Sequence, residues 1–290
     1  MLLVSGFLFG LMPLFAKQIY LHGGNALGLL FLRFAIGGAV FLLIMRFTGA
    51  PCVLKKDEIL SVFLVSLPEA LTSVLLYQSY NYISSGTATT LHFSYPAAVL
   101  ILETLIFRKK LNRRNLLCCA LCILGIVMFY LPEALHGAGS SAPGSLAGLL
   151  LALSSGIVYS SYILALTHID KVNTMPRMKL SAWVSLMIAV ELACIMAFTG
   201  KFSFQMDANG WGLAVLCSAF VSSFAFLTFQ AGAGRCGPQT AALLSTSEPA
   251  SSVIFGILIL GESMSIFAGA GCAFILLSIV LQVAVKGDPA

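Results

Sequence analysis

The stretch TAALLSTSEPASSVIFGILIL, residues 240–260, is almost wholly apolar, yet it sets Glu248 and Pro249 side by side near its middle. A carboxylate and a helix breaker both count against an ordinary buried helix. A run of this length can cross about 30 Å of hydrocarbon, and in that setting the pair acquires a use. Proline removes one backbone donor and frees a carbonyl a turn earlier. Such backbone is tolerated at membrane depth only where it lines a cavity or meets other protein. The stretch therefore reads as a spanning helix opened near its centre, with Glu248 turned inward.

Composition supports that setting. Of 290 residues 59% are hydrophobic and 9% charged, against roughly 25% charged in soluble domains. The excess apolar surface needs lipid. The net charge of +5 does not imply nucleic acid, because the basic residues fall in short loops between apolar runs. Cys118, Cys119, Cys122, Cys194, Cys217 and Cys272 lie inside apolar runs and read as small packing residues. No second CxxC or nearby histidine accompanies CCALC, so no metal site is expected.

Ten apolar windows of spanning length follow one another: 2–19, 27–47, 59–82, 87–107, 115–131, 146–168, 180–199, 211–232, 239–260 and 266–285. The first lacks a basic leader and a cleavage site, so it reads as a retained helix. Of the 16 basic residues, all but Lys17, Arg33 and Lys201 lie in the loops after the even-numbered windows or in the tail. The positive-inside rule then places both termini and RKKLNRR (108–114) in the cytoplasm, with the plasma (inner) membrane as the expected location.

The opening stretch has a counterpart in TATTLHFSYPAAVLILETLIF (87–107), where Pro96 takes the place of Pro249 and Tyr95 that of Glu248. ILGIVMFY (123–130) likewise matches LLSIVLQV (276–283), and SGFLFG (5–10) matches SGIVYS (155–160), whose small residues permit close helix approach. Two five-helix units are expected, 1–131 and 146–290, joined by PEALHGAGSSAPGS (132–145). Five crossings invert the second unit, giving an all-α membrane protein of two inverted repeats, an architecture of secondary transporters that puts the site at mid-membrane.

GFLFGLMPLFAK with LFLRFAIGGAVFLL, then YISSGTATTLHFSYP, and finally RCGPQTAALLSTSEP with ILGESMS together resemble the drug/metabolite transporter superfamily, in its ten-helix branch with two EamA-type repeats. The resemblance covers about residues 1–285. It implies export of small metabolites, often amino acids, by alternating access without ATP, with helices 1, 3, 4, 6, 8 and 9 around the cavity.

Ionisable groups in a bilayer cost at least about 2.5–3.5 kcal/mol each, which makes them candidates for function. Glu69 follows Pro68 at mid-depth, and Ser73, Tyr77 and Tyr80 continue its helix. His92 and Tyr95 precede Pro96. Tyr159 lies deep in the sixth window, near Tyr162, and Ser245 and Glu248 belong to the opening stretch. Glu69, Ser73, Tyr77, Tyr80, His92, Tyr95, Tyr159, Ser245 and Glu248 are the expected binding residues for a cationic or zwitterionic solute, with protons as a possible coupling ion. Each also has a structural reading as an interhelical hydrogen-bond group or an interfacial aromatic. Glu103 is expected to snorkel to Arg108 and Lys109, Glu262 to cap the helix after SMS, and Arg33 to stabilise the fold by pairing with backbone carbonyls or with an acid elsewhere. Glu191, mid-way along the seventh window, has no assigned role.

A membrane enzyme would need a nucleophile–base pair or a metal cluster, and the histidines at 22, 92, 136 and 168 offer no ligand spacing. A channel does not need a repeated, proline-broken centre. Transport of a small solute without a cofactor is the expectation; direction, oligomeric state and the solute itself are left open by the residues.

Overall fold

The structure, a computed structural model, describes residues 2–108, 113–136, 145–200, 204–225, 228, 247–262 and 264–285. All described regular elements are helices. They are α1 (Leu2–Leu21), α2 (Ala26–Thr48), α3 (Ile59–Ser79), α4 (Ser85–His92), α5 (Tyr95–Phe107), α6 (Arg113–His136), α7 (Ser145–His168), α8 (Asp170–Thr174), α9 (Arg177–Thr199), α10 (Ala208–Leu216) with a π-helical continuation at Cys217–Ser222, α11 (Ser247–Leu260) and α12 (Ile266–Val285). Among the described residues, seven helical stretches are long and apolar enough to cross a membrane. Leu116–Met128, Ser251–Leu260 and Ile266–Ser278 are shorter apolar helices.

Local chemistry sets the ends. The Asn25 side chain accepts from Gly28 N at 2.8 Å and starts α2, and Gly49, at φ 69°, ends it in the left-handed conformation that glycine adopts freely. The Ser84 hydroxyl accepts from Thr87 N and starts α4, while Asp207 caps α10 through Gly210 N at 2.7 Å.

The inside of the bundle mixes large apolar residues such as Leu29, Leu30, Ile188 and Leu192 with small, often hydroxylic ones. Ser66, Ser79, Ser155, Ser160, Ser218 and Ser251 are all buried, whereas Phe47, Leu105, Phe198, Leu258 and Ile266 face outward. Small residues let helices approach, and large apolar ones belong against lipid. The main helix pairs are α1 with α11, α2 with α9, α3 with α7 and α6 with α12. The Ser251 hydroxyl donates to the Gly6 carbonyl at 3.2 Å, and a β-carbon at Gly10 would strike Ser251. The small pair in SGFLFG thus marks the α1–α11 crossing.

Two expectations need correction here. The fourth window, 87–107, is two helices: α4 ends at His92, Phe93 and Ser94 form a turn, and α5 begins at Tyr95. Pro96 has no N–H, and its ring would clash with the carbonyl of His92 in a continuous helix. Ser94 N instead closes a short turn on Leu91 O at 3.1 Å. Gly156 on α7 lies against that turn, where a β-carbon would come within 2.6 Å of the His92 oxygen. Cys194, grouped with the packing cysteines, is exposed on α9, whereas Cys118, Cys119, Cys122, Cys217 and Cys272 are buried as packing residues should be.

Candidate functional site

Glu69 stands on α3, one residue after the internal Pro68. Its Oε2 is buried and, among the described residues, has no hydrogen-bond partner. Such an orphaned oxygen is expensive in a packed helical interior and marks a place where something polar belongs. Ser73 and Tyr77 on the same helix, and Tyr80 just past it, are all buried.

Arg33 on α2 reaches this cluster. Its Nη1 donates to the Tyr77 hydroxyl at 3.0 Å, and its guanidinium carbon lies 5.1 Å from the Phe34 ring centre and 5.6 Å from that of Tyr77. The Tyr20 hydroxyl donates to the Tyr77 carbonyl at 3.1 Å, tying α1 to the same residue. Arg33 and Glu69 interact electrostatically, and Glu248 interacts with both. Glu248 stands on α11, so that helix also contributes to the cluster.

The break between α4 and α5 supplies the aromatic wall. The ring centres of Tyr95 and Tyr159 are 4.7 Å apart, those of His92 and Tyr159 5.0 Å, and those of Tyr159 and Tyr162 5.2 Å. His92 Nδ1 and the Ser155 hydroxyl share a hydrogen bond of 3.0 Å. Glu69 acts electrostatically on Tyr159 and Tyr162, and Glu248 on Tyr80, Tyr95 and Tyr159. The structure therefore gathers Glu69, Tyr77, Tyr80, His92, Tyr95, Tyr159 and Glu248. Ser73 is buried on the same helix, and Ser245 lies outside the described residues.

Arg33, expected to stabilise the fold through carbonyls or an acid elsewhere, interacts with both Glu69 and Glu248. Its signal was present in the sequence, since a lone arginine in an apolar helix is a functional candidate on cost alone. Cys217, buried in the π-helical segment, also interacts with Arg33; no sequence pattern announced that segment. The side chain of Glu103 lies outside the described residues. Glu191 accepts from the Ser66 hydroxyl of α3 at 2.5 Å, which gives it a role tying α9 to α3. Glu262 does not cap the helix after SMS. The Ser265 hydroxyl does so through Ala268 N at 3.1 Å, and Glu262 instead accepts from Ser85 N at the start of α4, at 3.0 and 3.1 Å.

Two carboxylates and a guanidinium inside a tyrosine-lined helix bundle, enclosed by an outward-facing apolar surface, form a setting for a small polar solute. The profile of the EamA-like transporter family matches residues 1–131 and 146–284. The chain belongs to that family. Within the drug/metabolite transporters, it is 24% identical over 275 residues to the threonine/homoserine exporter RhtA of Salmonella typhimurium strain SL1344, covering 94% of this chain and 87% of that protein. It is also 24% identical over 213 residues to the uncharacterized transporter sll1319 of Synechocystis, covering 72% of this chain but only 61% of that relative's length. A crystal structure of a protein at 17% identity superposes with TM-score 0.65, covering 98% of this chain and 96% of the other; that likeness speaks for the fold alone. The family and these relatives are transporters, not enzymes.

Proposed function

We propose that this EamA-like transporter is a secondary carrier of a small zwitterionic or cationic solute, of the amino-acid or amine class, bound between Arg33, Glu69 and Glu248. The observation that carries the reading is the unpartnered, buried Oε2 of Glu69 beside a guanidinium within its field. An ammonium group satisfies that oxygen, and Arg33 offers donors to a carboxylate. Tyr77, Tyr80, Tyr95 and Tyr159 supply aromatic faces and hydroxyls around a cation, with His92, Ser73 and Ser245 completing the wall. A relative that exports threonine and homoserine supports the amino-acid class and the outward direction.

The proposed architecture is ten spanning helices in two inverted five-helix repeats, 1–131 and 146–290, in the plasma membrane with both termini in the cytoplasm. A proton taken up by Glu69 or Glu248 on one side and given up on the other is the proposed coupling step. The test is a thermal-shift screen of purified protein against threonine, homoserine, other amino acids, amines and nucleosides, since a bound solute raises the melting temperature by mass action. A rise with amino acids or amines that vanishes in Glu69→Gln supports the reading. Stabilisation by nucleosides alone, or by amino acids equally in Glu69→Gln, refutes it.

A further inference from the structure

The ion pairs among the described residues share one property: each joins the first matched stretch, 1–131, to the second, 146–284. They are Lys17–Glu262 at 2.7 Å, Lys171–Asp57 at 3.1 Å and Lys179–Glu58 at 2.8 Å, and the His22–Asp207 hydrogen bond at 2.8 Å does the same. They also fall at the two opposite ends of the bundle. Lys17 and His22 stand where α1 ends, and Asp57 and Glu58 stand where α3 begins, after α2 has crossed in between.

At each end one pair is sheltered and one is open. The side chains of Lys17 and Glu262 are 24% and 12% exposed, and those of Lys179 and Glu58 are 7% and 16% exposed. Their outer companions, His22–Asp207 and Lys171–Asp57, are wetter, and wet pairs contribute little. The sheltered pairs are reinforced by further bonds. Glu262 accepts from Ser85 N and from the Ser85 hydroxyl at 2.9 Å, and Lys17 also donates to the Ile83 carbonyl at 3.3 Å. Glu58 takes both Lys179 contacts, at 3.0 and 2.8 Å, and accepts from Lys55 N at 2.7 Å.

What these knots hold is the start of a site-bearing helix. Glu262 holds the N-terminus of α4, which ends at His92. Glu58 is the residue that opens α3, which carries Glu69, Ser73 and Tyr77. A β-carbon at Gly256 would press on the Glu262 carboxylate, so the turn after α11 is shaped to deliver that side chain to α4.

We infer that Lys17–Glu262–Ser85 and Lys179–Glu58 are the two gates of the transport cycle: each closes one end of the bundle, and each is released in turn while the other holds. Both pairs are made in this structure. The inference rests on the transport reading but not on the identity of the solute. The closing experiment needs no solute, so its failure leaves the binding reading standing, and failure of the binding screen leaves this one standing.

The experiment is hydrogen–deuterium exchange on the full chain in lipid nanodiscs, comparing wild type, Glu262→Gln and Glu58→Gln. Releasing one gate in an alternating machine favours the state in which the other is shut. Glu262→Gln should exchange roughly tenfold faster over Ser85–Leu91, the shift expected from losing one charge-assisted bond, and slower than wild type over Ile59–Ser66. Glu58→Gln should show the reverse pattern. Faster exchange at the mutated end with no slowing at the opposite end, in both variants, overturns the inference and leaves two static clamps. If Glu262→Gln fails to fold, Ser85→Ala keeps the Lys17 pair and removes only one hydroxyl; it should show the same reciprocal pattern at smaller amplitude, and a purely local change there also overturns the inference.

Discussion

Arg33 donates to the hydroxyl of Tyr77 while its guanidinium carbon stands 5.6 Å from the centre of the same ring. One residue of α2 thus fixes a site tyrosine of α3 through both its edge and its face. Arginine offers a planar fork for this, which lysine does not. Arg33→Lys is expected to weaken binding of the solute about tenfold or more, within the range for charged hydrogen bonds. Tyr77→Phe, which removes one hydroxyl, is expected to cost less. Isothermal titration of both variants measures this, and equal losses would assign the effect to Tyr77 alone.

Glu69 and Glu191 make a contrasting pair of membrane acids. Each keeps a buried Oε2 without a partner among the described residues, but the other oxygen of Glu191 accepts from Ser66, whereas Glu69 lies within the field of Arg33. Glu69→Gln should abolish or decouple transport and leave the melting temperature near wild type. Glu191→Gln should lower the melting temperature and leave the apparent affinity of the folded protein unchanged. The reverse pattern, measured on one purified sample of each, would exchange their roles.

How much of this was legible in the sequence differs by level. Seven of the spanning windows were, among the described residues, because lipid forces a long apolar run wherever the chain crosses. The break at Phe93–Ser94 was only half legible. Pro96 announced a disturbance, but whether a proline bends a helix or ends it depends on what packs there, and Gly156 comes from α7. The site acids stood out by their cost in lipid. Arg33 stood out equally and was set aside, because a cation with nearby carbonyls has an easy structural account. The partner of Glu262 was not legible: a carboxylate before a helix start normally caps that helix, and here a helix from the other matched stretch, α4, takes it.

The proposed orientation makes a labelling prediction. Cys52, half-buried in the segment between α2 and α3, should react with an impermeant maleimide from the cytoplasmic side, as should Cys236, which lies outside the described residues. Cysteines introduced at 136–142 should react from the other side. Labelling of position 236 from outside would reverse the orientation and remove the inverted repeat with it.

The Glu58–Lys179 pair predicts an acid limit to stability. The Lys179 hydrogen bond, with that of Lys55 N, holds the Glu58 carboxyl below the usual glutamate range, and Lys171 does the same for exposed Asp57. A carboxyl lowered in the folded state stabilises above its unfolded value, and the gain is lost as pH falls through the folded value. The melting temperature should therefore be flat from neutrality to about pH 5 and fall below about pH 4. Glu58→Gln should flatten part of that fall. An unchanged acid limb in the variant would show that other carboxyls set it.

Gly156 predicts a steric limit. A β-carbon there meets the His92 carbonyl and the Ser94 hydroxyl, so Gly156→Ala should cost about 1–3 kcal/mol of stability, as overpacking does. It should also disturb the Tyr95–Tyr159 contact. Gly212, whose β-carbon would meet nothing within 4 Å, is the matched control, and a Gly212→Ala variant should melt close to wild type.

The interruption at Phe93–Ser94 leaves α4 only eight residues long, about 12 Å from end to end. A rod that short is a lever with a large angular response: moving its Ser85 end by about 2 Å tilts it by roughly 10° about the break. His92 sits at the pivot, in tilted ring contact with Tyr159 and bonded to Ser155, so a tilt is felt there as rotation of an imidazole, with little sliding of the backbone. The neighbouring long helices would stay in place while the face that α4 presents to the tyrosines turned.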